Sequence, residues 1–163
     1  MHYRLLLTAI VLLASSAALA EDRIRLEVPV SIVEGAVIDP EILEHCGVQA
    51  EFSRRLAREL RKVAVAEQAP LEDMRGRVLK VEIVDAIWGG NWFIEHVQTL
   101  RVRGALYQDG ERVSGFTGIM ANQGGGMTSG CFQMNAKFGA LTWHIKRWLR
   151  DPVDGATIGQ GGR

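Results

Sequence analysis

The chain has 163 residues, is 47% hydrophobic, and balances 19 Lys and Arg against 19 Asp and Glu. That neutrality leaves no global basic field to draw nucleic acid and no acidic tail. The length suits one domain of ordinary size with a real core, and no repeat of solenoid period is visible.

The first twenty residues, MHYRLLLTAIVLLASSAALA, read as a cleavable export leader. Arg4 supplies the positive start, Leu5 to Leu13 the apolar run, and Ala18-Leu19-Ala20 the small-residue cleavage site. The mature chain then starts at Glu21, which leaves no cysteine at that position to carry a lipid. No later segment is apolar enough to span a membrane. The expected location is the periplasm.

Asp22 to Ile32 alternates, with Ile24, Leu26, Val28, Val30 and Ile32 facing one way, and predicts an edge strand on account of Pro29. Val33 to Pro40 reads as a connector. Glu41 to about Ala66 predicts the first helix, with Asp39 as N-cap, Pro40 at the first helical position and a break near Gly47. Val48, Phe52, Leu56, Leu60 and Val63 form its apolar stripe. Arg54, Arg58 and Arg61 lie opposite, interspersed with acid, as a solvated face does.

Arg77 to Trp88 predicts the second strand. The run Trp88-Gly89-Gly90-Asn91-Trp92-Phe93 is a glycine-rich turn carrying aromatics, and His96 to Gln108 is the third strand. Asp109-Gly110 predicts a two-residue hairpin turn of type I′. Counting from that turn pairs Leu106 with Val113, Gly104 with Gly115, Val102 with Thr117 and Leu100 with Ile119 on an inner face. Tyr107 with Arg112 and Arg103 with Phe116 fall on the outer face. A polar, glycine-rich stretch from Ala121 to Gly130 leads to the second helix. Its stripe is Met134, Phe138, Leu141, Ile145, Trp148 and Leu149. Asp151-Pro152 stops it, and Val153 to Arg163 has the composition of a disordered tail.

The expected architecture is α+β in the order β-α-β-β-β-α: a two-layer sandwich with two helices on one face of a mostly antiparallel four-stranded sheet. The domain spans residues 21–150, between the leader and a flexible tail over 151–163. A right-handed crossover sets the first strand parallel to a later one, beside the second. In an exported chain the two cysteines, Cys46 and Cys131, default to a disulfide. There is no C-x-x-C for redox chemistry and no zinc-finger spacing.

Several stretches together resemble a known group. They are Cys46-Gly47 at a helix, Leu79-Lys80-Val81-Glu82-Ile83 in a strand and the hairpin Arg103-Gly104-Ala105-Leu106-Tyr107-Gln108-Asp109-Gly110. A glycine-rich loop then ends in Cys131, and the last helix closes in Trp148-Leu149. The whole resembles a family of uncharacterised secreted proteobacterial proteins. In architecture it is also similar to the N-terminal domain of the Tol translocation protein and to outer-membrane assembly lipoproteins. That resemblance implies a binding or assembly role, without cofactor or catalysis. Glu21 departs from the lipoproteins, which carry a lipidated cysteine.

Residues with chemistry are scattered. Gly124 to Gly126 could form an anion-holding nest, but lack the lysine and Ser/Thr of a P-loop. His45, His96 and His144 form no paired metal-binding motif, and Ser114 and Ser129 sit in no nucleophile elbow. No metal site or carboxylate pair is expected. Exposed aromatics mark contact sites, so Trp88, Trp92, Phe93 and Trp143 are the partner-binding candidates; the alternative is that they fold over the sheet end and complete the core. The leading expectation is a non-enzymatic binding or assembly module with a protein or envelope partner. The alternative is a small periplasmic hydrolase with a histidine-based site assembled by the fold.

Overall fold

The computed structural model describes residues 23–89, 97–123 and 130–159. Its strands are β1 (Ile24–Glu27), β2 (Ser31–Ile38), β3 (Ala64–Glu67), β4 (Arg77–Gly89), β5 (Val97–Gln108), β6 (Glu111–Gln123) and β7 (Ala156–Gly159). Its helices are α1 (Pro40–Cys46), α2 (Val48–Leu60) and α3 (Gly130–Trp148). The strands form one mixed sheet in the order β3-β1-β4-β5-β6-β7, with β2 also paired to β4. The α+β class and helices over a sheet stand as expected. The mostly antiparallel four-stranded sheet and two helices are corrected, among the described residues, to a mixed sheet of seven strands with four of its six pairings parallel, and three α-helices.

The expected first strand is two strands in line. β1 pairs parallel with the start of β4 (Arg25 with Val78), and β2 pairs parallel with its later part (Ser31 with Glu82). The expected neighbour and direction are therefore present. Between them, Pro29 has no N–H to give the ladder, and α2 takes over the backbone groups of Val30. Its amide donates to Ser53 Oγ at 2.9 Å, and its carbonyl accepts from Gln49 Nε2 at 2.8 Å. Most of the expected connector, Val33 to Pro40, is strand: its residues 33–38 belong to β2, because the long edge of β4 offers it hydrogen bonds.

The first helix divides at Gly47, whose φ of 54° places it in the left-handed region. Asp39 caps α1, its carboxylate accepting from the Glu41 amide at 2.9 Å. α2 stops at Leu60, not Ala66. Ala64 to Glu67 becomes β3, paired parallel with β1, because sheet pairing overrides the helix preference of Ala and Glu. The tail expectation is likewise corrected: Ala156–Gly159 pairs parallel with β6 and closes the opposite edge. Polar, glycine-rich composition concealed that strand.

Asp109 and Gly110 form the two-residue turn, with φ of 52° and 88°. Gln108 pairs with Glu111 and Tyr107 with Arg112, as counting from the turn predicts. The register then shifts by one. Val113 is left out of the ladder and 53% exposed, and Leu106 pairs with Ser114, Gly104 with Phe116, Val102 with Gly118 and Leu100 with Met120. This bulge corrects the predicted inner pairs with Val113, Gly115, Thr117 and Ile119. It turns Phe116 from the open face to the core, because a one-residue slip reverses a strand's faces. Phe116 is 4% exposed and meets Trp148 edge-on, with ring centroids 4.8 Å apart. Gly104 makes room for it: a Cβ there would lie 2.2 Å from the Phe116 ring. Gly110→Val should destabilise the protein by on the order of 1–3 kcal/mol, since a β-branched residue at positive φ is strained. A denaturant midpoint unchanged by this substitution would show that the turn adopts another geometry.

The inner sheet face, including Leu79, Val81, Ile83, Leu100 and Val102, packs under Phe52, Leu56, Phe138, Leu141 and Ile145 of the helices. Three contacts in step show that α2 and α3 run parallel. Cys46 bonds Cys131, Phe52 stacks on Phe138 at 5.1 Å, and Arg55 lies over Gly139.

Candidate functional site

The structure offers three places where chemistry or binding could reside. At one end of the helix layer, Cys46 and Cys131 are disulfide-bonded with Cα atoms 5.1 Å apart. Trp88, at the end of β4, turns toward the helices and is half-buried against the core. Its ring fills the space over Gly130, where a Cβ would fall 2.1 Å from it. Gln98 pairs with Trp88 across the ladder and is buried, and its side-chain amide has no hydrogen-bond partner among the described residues. An unmatched buried amide of this kind costs about 1–3 kcal/mol. Trp92, Phe93, His96, Ser129 and the glycine run 124–126 lie outside the described residues.

The second place is the open face of β4, β5 and β6. Ala105 and Gly115 pair across the ladder and, being small, floor a depression of about 390 Å³. Lys80, Glu82, Arg103, Tyr107, Arg112 and Thr117 rise around it. Glu82 accepts from Arg103 Nε at 2.5 Å and from the Ser31 hydroxyl at 3.3 Å, with Lys80 Nζ 3.6 Å away. Burial pushes the Glu82 carboxyl up, but the hydrogen bond and charge of Arg103 outweigh it and hold the group below the usual carboxylate range. Arg112 pairs with Asp154 at 2.7 Å, beside the same floor. The charges here are mostly neutralised within the site. Ser114 points the other way, buried in the core side with its hydroxyl unpartnered, so it presents no nucleophile to solvent.

The third place is the solvent side of α3. Trp143 is 54% exposed, with the Arg147 guanidinium 5.8 Å over its ring centroid and His144 edge-on at 4.8 Å. Trp143 and Arg147, with Lys146 and Arg150, line a shallow depression of about 400 Å³. Burial first, and the charge of Arg147 second, hold the His144 ring below its ordinary pKa.

The two described histidines do not converge. His45 adjoins Cys46, with Nδ1 3.3 Å from the Glu41 carbonyl. His144 follows Cys131 along α3, roughly 20 Å away at about 1.5 Å per residue. The disulfide holds His45 at the start of that helix, so these two rings serve separate surroundings. Among the described residues no group of three or more His, Cys, Asp or Glu could hold a metal ion.

Sequence reasoning missed the open-face depression. Its signal was the small pair Ala105 and Gly115 among charged neighbours, and counting straight from the turn set these two residues on opposite faces of the hairpin.

No protein-family model matches the chain, and no curated protein matches it. Solved structures do. A Xanthomonas campestris protein described as DUF330 is 11% identical, over 77% of this chain and 82% of that one, with a TM-score of 0.54. PelC from Paraburkholderia phytofirmans, a dodecamer, is 12% identical over 74% and 85%, with a TM-score of 0.46. Lipoprotein GNA1162 from Neisseria meningitidis is 11% identical over 77% and 99%, with a TM-score of 0.47. At such identities the likeness to the Xanthomonas protein is one of fold.

Proposed function

We propose that this chain is an exported, non-enzymatic binding or assembly module of the bacterial cell envelope. The observation that carries the reading is the Cys46–Cys131 disulfide, which joins two helices across a sequence separation of 85. Such bonds persist in oxidising compartments and are rare in reducing ones. The N-terminal leader pattern agrees with it. On this reading the leader is removed after Ala20, and a single domain from Glu21, reaching through β7, works in the periplasm. The likeness to the Tol N-terminal domain and the outer-membrane assembly lipoproteins belongs to this proposal. Edman sequencing of the protein recovered from the envelope fraction of a bacterium expressing the full gene should begin at Glu21. A product that begins at Met1 and stays with the cytoplasm would end the reading.

The protein-partner surface centres on the turn from Trp88 to Phe93, and Trp143 is a separate candidate. Aromatic side chains offer large area for little lost entropy, so contact sites favour them. Trp88 itself is committed in part to packing over Gly130, which leaves Trp92 as the chief contact. Trp92→Ala should leave the melting temperature unchanged and abolish partner capture from envelope extracts. A stability loss of roughly 3–5 kcal/mol, as for an emptied core aromatic site, would assign the ring to the core instead.

A further inference from the structure

The helix layer carries its charge unevenly. From Gly130 to Arg150 the chain has no acidic residue, although the whole protein is neutral. Lys146, Arg147 and Arg150 gather with Trp143 on the last turns of α3 and just past them. Among the described residues these three cations have no ion-pair partner; the next acid, exposed Asp151, directly follows Arg150 without pairing to it, and Asp154 is taken by Arg112. Because α2 runs parallel to α3, it ends toward the same side. There it adds Arg58 and Lys62, both exposed; Glu59 is shared by Arg55 at 2.7 Å and Arg58 at 3.7 Å, so one carboxylate faces two guanidinium groups.

Cations at a helix C-terminus complement its dipole. That accounts for the charge but not for an indole held in water among guanidinium groups. A bilayer surface satisfies both: an indole settles at headgroup level with its apolar ring inward, and neighbouring Lys and Arg reach lipid phosphates. A soluble phosphate would satisfy the cations and leave the indole where it is. No described helix is long and apolar enough to cross a membrane, so this face would lie on the surface.

We propose that Trp143, Lys146, Arg147 and Arg150 form a docking face for anionic phospholipid headgroups, flanked by Arg58 and Lys62. This deepens the partner reading of Trp143. It is tested on purified protein, so vesicle binding can fail while fractionation still finds the chain in the envelope.

The test is co-sedimentation of the oxidised protein, expressed from the full gene, with vesicles of phosphatidylcholine alone or mixed with phosphatidylglycerol. Binding is expected to the mixed vesicles only, weakening as salt is raised. A Lys and Arg near an anionic surface strengthens binding about fivefold each. The triple variant Lys146→Gln, Arg147→Gln, Arg150→Gln should therefore bind on the order of a hundredfold more weakly. Trp143→Ser should remove the blue shift of tryptophan fluorescence on binding. Equal binding to neutral and anionic vesicles overturns the proposal, as does a triple variant that binds like wild type. Release of the vesicles by millimolar inorganic phosphate at constant ionic strength would show a soluble-anion site instead. Should the triple variant fail to fold by circular dichroism, the wild type decides: binding to mixed vesicles that salt does not weaken also overturns the proposal.

Discussion

Replacing both cysteines, Cys46→Ser with Cys131→Ser, should lower the unfolding free energy by about 4–5 kcal/mol, the loop-closure entropy of a cross-link this long in sequence. The separation is 85 residues, and the closed loop contains α2, β3, β4, β5 and all of β6. The core residues of α2, β4, β5 and β6 thus all lie within the segment that one bond constrains in the unfolded state. In the native state the same bond fastens α1 to the first turn of α3, where both helices leave the sheet. The double variant is the cleaner comparison, since a single replacement leaves a reactive thiol. Urea denaturation should give the lower stability for the variant and for wild type under reductant alike. Thiol titration of unfolded, unreduced protein should find no free group. If reductant leaves the midpoint of the wild type unchanged, the cross-link contributes nothing and the entropy argument fails.

The parts of the fold legible in the sequence are those where one local rule acts alone. The stripe Met134, Phe138, Leu141 and Ile145 is a helix by periodicity, and each of these residues is buried as that stripe requires. Asp109-Gly110 makes its turn because two consecutive residues at positive φ suit that pair. The failures are places where a distant partner decides. β3 is built mostly of Ala and Glu, which favour helix, yet pairs with β1. β7 looks like a tail and is strand because β6 presents it a free edge. The gap between β1 and β2 is stable because Ser53 and Gln49, roughly twenty residues on, supply its hydrogen bonds. For the candidate sites the division is the same. The cysteine pair followed from compartment and count. The exposure of Trp143 followed from its angle on the helix, opposite the apolar stripe. The parallel run of α2 and α3, which brings their cations toward one side, needed tertiary contacts to be seen.

Phe116→Ala should destabilise the protein by about 3–5 kcal/mol, the cost of emptying a core aromatic site. Two registers of the hairpin make opposite forecasts here. Counted straight from the turn, Phe116 pairs with Arg103 on the open face, where truncation would change stability by less than about 0.5 kcal/mol. With Val113 bulged out, Phe116 pairs with Gly104, sits 4% exposed and packs edge-on against Trp148 at 4.8 Å. The aromatic contact adds about 0.5–1.5 kcal/mol beyond area burial. Trp148 also donates its indole N–H to the Val153 carbonyl at 3.0 Å, which starts the chain toward β7. Removing the Phe116 ring therefore loosens both the core and the anchorage of the closing strand. The measurement is the denaturant midpoint of Phe116→Ala beside that of Val113→Ala. The bulged register requires a large loss for the first and a small one for the second, since Val113 is 53% exposed. The reverse order would restore the unbulged register and return Phe116 to the open face.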